Sequence, residues 1–138
     1  MINLKIITPS QVYLEQEVDY VEVKAPHSVL GILPKHAPLV SSLEIGLLKI
    51  KMNNATLYFA AGEGIINVRK DETIILLSSI ERVDEIDINR AIEAKKRAEE
   101  RLSNSVTSSG KEVDKERASK ALARAINRIK IYSDYSKD

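Results

Sequence analysis

Leu48, Ile50 and Met52 alternate with Lys49 and Lys51, and Ile66 and Val68 alternate with Asn67 and Arg69. A period of two sends successive side chains to opposite faces, so each run predicts a half-buried β-strand. Residues 18–23 predict another strand, with a bulge where the alternation slips. Thr73-Ile74-Ile75-Leu76-Leu77 is an unbroken apolar run and suits a strand covered on both faces. Turn-forming clusters separate these segments: Thr8-Pro9-Ser10, Ala25-Pro26-His27, Asn53-Asn54, Gly62-Glu63-Gly64 and Lys70-Asp71. Many short strands at this spacing predict an antiparallel β-sandwich or flattened barrel over residues 1–84.

The period changes after Ile86. Asp87 is a good N-cap, and Ile88, Ala91, Lys95, Ala98 and Leu102 follow at helical steps of three and four. A polar, small-residue stretch over residues 103–110 ends that run. Ser109 with Glu112 three residues on offers a capping box for a second helix, whose stripe is Ala118, Ala121, Leu122, Ala125 and Ile129. Residues 85–138 therefore predict an antiparallel two-helix hairpin, and the whole chain an α+β protein. Both stripes are rich in alanine, so each helix buries little area at roughly 25 cal/mol per Å². Weak packing suits a movable arm; a hairpin docked in one place fits the same residues.

One segment fits neither period. Gly31-Ile32-Leu33-Pro34-Lys35-His36-Ala37-Pro38-Leu39 holds two prolines, each fixing φ, removing a donor and biasing its predecessor away from the helical region. Ile32, Leu33, Leu39 and Val40 line it and are expected to be buried. The segment reads as a rigid apolar corner between two strands.

Composition narrows the function. Across 138 residues, 43% are hydrophobic and 30% charged, an ordinary globular mixture, and no run reaches the roughly 18 apolar residues that cross a bilayer. No signal peptide is apparent, and with no cysteine there are neither disulfides nor thiolate metal sites, in keeping with a cytoplasmic setting. A net charge of +1 argues against a polyanion binder, and interleaved acids argue against a nucleic-acid adaptor. His27 and His36 lack the companions of a metal site, so His36 reads as structural or as a subunit contact. No nucleophile–histidine–acid signature indicates hydrolase chemistry, and no catalytic residue is assigned.

The proline corner resembles the G-I-L-P-x-H-A-P-L signature of the epsilon subunit of bacterial rotary (F-type) ATP synthases, and the likeness extends over essentially the whole chain. Gly31, Ile32, Leu33, Pro34, His36, Pro38 and Leu39 match it as the structural or partner-contact motif. The chain departs from the family at His27-Ser28-Val29-Leu30 and at Gly62-Glu63-Gly64-Ile65, where the family commonly has other glycine turns. The resemblance implies a non-catalytic subunit, peripheral on the cytoplasmic face of the membrane. Its sandwich would dock on the gamma subunit and the c-ring. Its helices would switch between a folded hairpin and an extended form that reaches the alpha and beta subunits and suppresses ATP hydrolysis.

Ile86-Asp87-Ile88-Asn89-Arg90-Ala91 looks like the I-D-x-x-R-A motif of epsilon subunits that bind ATP. By the same resemblance Glu81, Arg97, Arg124 and Arg128 fall where nucleotide contacts are placed. No cofactor is required; ATP would be a regulatory ligand. Arg90, Arg97 and Arg101, and likewise Arg117, Arg124 and Arg128, each lie within about 40° on a helix. Two such stripes facing one another would repel unless an anion lay between them, and guanidinium forks suit phosphate oxygens. Solvated stripes balanced by Glu93, Glu100, Asp114 and Glu116 remain an alternative. So does pairing with acidic helices of the catalytic head. The absence of a G-x-x-x-x-G-K-[ST] loop means that bound ATP would be sensed and not hydrolysed. A free-standing ATP-sensing module is the rival reading of the whole chain.

Overall fold

A computed structural model describes residues 1–104 and 114–136. The chain divides into two compact units, Met1–Arg82 and Val83–Asp138.

The first unit holds ten strands: β1 Ile2–Thr8, β2 Gln11–Val18, β3 Tyr20–Ala25, β4 Ser28–Ile32, β5 Leu39–Leu43, β6 Gly46–Met52, β7 Ala55–Ala61, β8 Gly64–Val68, β9 Thr73–Leu77 and β10 Ile80–Arg82. They form two five-stranded sheets, ordered β2-β1-β9-β8-β5 and β10-β7-β6-β3-β4. Two open sheets make a sandwich and no closed barrel. Pairing is antiparallel throughout the described strands except at β1 and β9, which run parallel with Leu4 opposite Thr73 and Ile6 opposite Ile75. A parallel pair needs a long crossover. Here most of the unit, including four of the five strands of the second sheet, intervenes between the two strands.

Alternation builds the core as expected for β6, where Leu48 and Ile50 are buried and Lys51 is exposed. Leu4, Ile6, Ile66 and Ile75 of the first sheet meet Val21, Leu48, Ile50 and Phe59 of the second in one apolar cluster. Each such side chain contributes about 1.5–3 kcal/mol on burial. Tyr13 meets Phe59 edge to face, with ring centroids 6.2 Å apart.

Two sequence expectations are corrected. Residues 18–23 are not one bulged strand. β2 ends at Val18, Asp19 forms a bend, and β3 begins in the other sheet. The alternation slips because Val18 and Val21 point into the core from opposite sheets; the Asp19 amide donates to the Lys51 carbonyl at 2.8 Å and fixes the crossing. Nor is β9 covered on both faces: Thr73, Ile75 and Leu77 are buried, while Leu76 is 45% exposed. Its apolar run reflects an apolar outer surface on the first sheet.

Local chemistry sets the turns. Asn53 and Asn54 have φ of 51° and 64° and close β6 onto β7 with Met52 opposite Ala55. Positive φ at both central residues is the requirement of a type I′ turn, which asparagine tolerates. Gly64 answers a different need, since a Cβ there would lie 1.8 Å from the Leu76 carbonyl oxygen of β9.

In the second unit a 3₁₀ turn, Val83–Glu85, precedes α1 (Ile88–Ser103) and α2 (Lys115–Tyr135), which pack along one another as an antiparallel hairpin. Asp87 caps α1, its Oδ1 accepting from the Arg90 amide at 3.2 Å. Asp114 caps α2 in the same way, accepting from the Arg117 amide at 3.0 Å. The expected capping box at Ser109 and Glu112 lies outside the described residues. Ala91 and Ala98 on α1, with Ala118 and Ala125 on α2, are almost fully buried.

Gly64→Ala should lower stability by about 1–3 kcal/mol, because β9 backbone must retreat to admit one methyl group. Urea unfolding checks this; an unchanged midpoint would mean that β8 and β9 are not held as closely as described.

Candidate functional sites: the proline corner and the arginine face

The corner connects β4 of one sheet to β5 of the other. Pro34 and Lys35 are the central residues of a tight turn in which the His36 amide donates to the Leu33 carbonyl at 3.1 Å. Proline at the first central position and a positive φ at the second, here 65° at Lys35, are the marks of a type II turn. A left-handed lysine costs on the order of 1–2 kcal/mol relative to glycine. The His36 Nδ1 lies 2.7 Å from the Ala37 carbonyl oxygen, holding the ring against its own loop. A shallow cleft of about 50 Å³ separates the corner from the β8–β9 turn. Small-molecule sites run to roughly 300–1,000 Å³, so this cleft suits packing, not a ligand.

Gly31 opens the motif for want of room: a Cβ would lie 2.6 Å from the Tyr20 hydroxyl oxygen. Tyr20 donates to Glu22 Oε1 at 3.0 Å and its ring lies 5.4 Å from the Lys51 ammonium. Desolvation, with the Glu22 bond and charge, raises its phenol above the ordinary value.

The burial expected for the corner holds only in part. Ile32 is buried and Leu39 half-buried, whereas Leu33 is 60% and Val40 68% exposed. Leu33 stands past the last residue of β4, and Val40 occupies the outward phase of β5. The corner is therefore a rigid loop with apolar side chains turned to solvent.

The arginines are gathered by the alanine seam. Arg90, Arg97, Arg117 and Arg124 each immediately precede a buried alanine, at Ala91, Ala98, Ala118 and Ala125. Each arginine therefore sits about 100° from the seam in the same rotational sense. Arg101 and Arg128 follow Ala98 and Ala125 by three residues and fall within about 60° of it in that sense. On antiparallel helices, equal rotation from a shared seam brings both stripes to the same side. They stand next to one another on one face of the hairpin and do not confront each other across it, as the sequence reading supposed. Ile92 and Ile126 are displaced from the seam in the opposite sense and are also exposed.

The other predicted contacts divide clearly. Ile86 and Ala91 are buried, and the Asp87 carboxylate caps α1, so three positions of the I-D-x-x-R-A motif have structural work in the hairpin itself. Arg90 and Arg97 are exposed. Arg124 and Arg128 are half-buried and already engaged, so neither is a free cation. Glu81 stands on β10 of the sandwich unit, opposite Ala60 of β7. The signal the sequence reading missed was the Arg-Ala pair recurring seven residues apart on each helix.

A β-sandwich followed by a pair of long helices defines a two-domain architecture, and the chain matches family models for both parts. They are the ATP synthase delta/epsilon chain beta-sandwich domain, over residues 1–83, and its long alpha-helix domain, over residues 84–133. The chain belongs to the ATP synthase epsilon-chain family. It is 42% identical to an ATP synthase epsilon chain of Desulforamulus reducens, covering 93% of this chain and 94% of that one. It is also 42% identical to the one from Bacillus cytotoxicus, with 93% of each chain covered. Its fold resembles a chain in the mitochondrial ATP synthase of Euglena gracilis, with TM-score 0.74 and 19% identity over 91% of this chain and 78% of that one. A chain in the central stalk/c-ring structure of Tetrahymena thermophila ATP synthase gives TM-score 0.65 and 18% identity over 94% of each. Among the described residues, no helix is long and apolar enough to cross a membrane.

Asp87→Ala should cost the hairpin about 1 kcal/mol, whereas Asp87→Asn, an equally good cap, should cost little. Thermal unfolding followed by helical signal distinguishes them. Equal loss in both variants would mean that the charge of Asp87, and not its capping bond, matters.

Proposed function

We propose that the chain is a non-catalytic, regulatory subunit of the central stalk of a rotary ATP synthase, peripheral on the cytoplasmic side of the membrane. Its sandwich docks on the gamma subunit and the c-ring, with the proline corner at the contact. The observation that supports docking is the corner itself: a loop with two prolines, turned at Pro34-Lys35, with Leu33 exposed within it and Val40 exposed just beyond it on β5. Solvent gains nothing from a rigid apolar loop; a partner with a fixed complementary surface does.

The hairpin regulates. Its folded form gathers Arg90, Arg97, Arg124 and Arg128 on one face, and ATP bound there spans both helices with its phosphates on the guanidinium groups. Arg90 and Arg97 supply exposed forks, while Arg124 and Arg128 must exchange present partners for phosphate. Extending the helices disperses this face, so ATP binds the folded form alone. By linkage, a ligand selective for one state stabilises it by about 2.7 kcal/mol at a hundred times its dissociation constant. A seam made of alanine is weak enough for that increment to decide the population. High ATP then holds the arm folded, and low ATP releases it toward the alpha and beta subunits, where it suppresses hydrolysis.

Calorimetric titration of the full chain should show saturable binding of ATP in preference to ADP. Arg97→Ala and Arg124→Ala should each weaken it about tenfold or more, the scale of one charge-assisted hydrogen bond, without affecting co-purification with gamma. Absence of binding at millimolar ATP would overturn the nucleotide reading. Failure to co-purify with gamma would overturn the stalk reading in favour of a free-standing sensor.

A further inference from the structure

Each sheet of a sandwich ends in strands whose outer backbone groups lack a neighbour, and folded proteins blunt such edges with charge, brevity or cover. Here two of the four edges are blunted. β2 carries Glu15 and Glu17, with Glu15 paired to Lys5 at 3.4 Å. β10 is three residues long and carries Glu81 and Arg82. The other two, β4 and β5, lie within residues 28–43, a stretch with no acidic residue and a single lysine in a chain that is 30% charged.

Of these two, β5 is the more open. On the outward face beside β4 stand Glu22 and Lys24, and Tyr20 covers Gly31. Beside β5 the outward face carries no charge and several exposed apolar side chains: Val40 is 68% exposed, and Ile65, opposite Ser42, and Leu76, opposite Ile65, are 46% and 45% exposed, with Ser42 and Asn67 between them. Among the described residues β5 pairs only with β8. The Ser41 hydroxyl donates to the Ser42 carbonyl at 2.9 Å, a bond within the strand that uses none of its amides.

We propose that β5 is a strand-addition site: an extended, largely uncharged segment of a neighbouring stalk subunit pairs with Leu39–Leu43 and makes the first sheet six-stranded. A row of alternating amide donors and carbonyl acceptors is matched in register by another strand and by no helix or loop. Val40 then packs beside an outward side chain of the added strand. The proline corner immediately before Leu39 fixes where β5 begins and so pins its register. This inference rests on the stalk-subunit reading and adds to it which backbone makes the contact.

Residue-resolved amide exchange of the full chain, alone and with the gamma subunit, tests it. Strand addition slows every second amide of Leu39–Leu43 by about tenfold or more, since the intervening amides are already paired with β8. Val40→Lys, at an exposed position, should leave the melting temperature unchanged and weaken the complex about tenfold or more. A complex that forms while β5 exchanges as in the free chain, or slows without alternation, overturns strand addition and leaves the stalk reading intact. No complex at all removes both. Alternating protection in the free chain that grows with its concentration would make a second copy the occupant and overturn the proposal.

Discussion

Burial of small alanine side chains is the constraint on which the helical half of the chain depends. Apart from Ile131, the buried positions of the two described helices are Ala91, Ala98, Ala118 and Ala125, whose small side chains remove little apolar area from water. A leucine seam would bury far more and lock the pair. The same seam dictates electrostatics. Because an arginine precedes each alanine, closing the seam assembles a cationic face, and opening it dissolves that face. On the proposed function, packing and ligand recognition are then one equilibrium, and an anion that neutralises the arginines favours closure.

The sandwich meets the opposite demand. Its core is continuous and aliphatic, its crossing between sheets at Asp19 is fixed by a backbone bond, and its close approach at Gly64 leaves no slack. On that frame the proline corner holds Leu33 in solvent at the cost of a left-handed lysine. Strain and exposure together in one loop are intelligible when a partner completes the surface. On the proposed function, the chain joins a rigid body to a movable arm.

Much of this was legible in the residues. Alternation in β6 and β8, the asparagine turn, the Asp87 cap and the two helices follow from periods and local chemistry alone. The errors share a cause. Val18 to Val23 reads as one slipping strand because alternation records inward and outward but not which sheet is inward. Leu33, Val40 and Leu76 were expected inside because an apolar side chain gives the same signal whether it meets its own core or another protein's surface. The relation between the arginine stripes was misjudged because helical phase places residues on one helix, whereas the side they share emerges only when the seam and the antiparallel direction are known together.

The central claim is that nucleotide closes the hairpin by neutralising its arginine face. The chain has no cysteine, so spin labels can be attached at Glu99→Cys and Ser119→Cys, exposed positions away from that face. Pulsed distance measurements on the full chain would then read the two helices directly. A distribution that collapses to a single short distance on adding ATP, and broadens toward long distances without it, is the predicted result. A distribution indifferent to ATP, with nucleotide bound, would contradict the account.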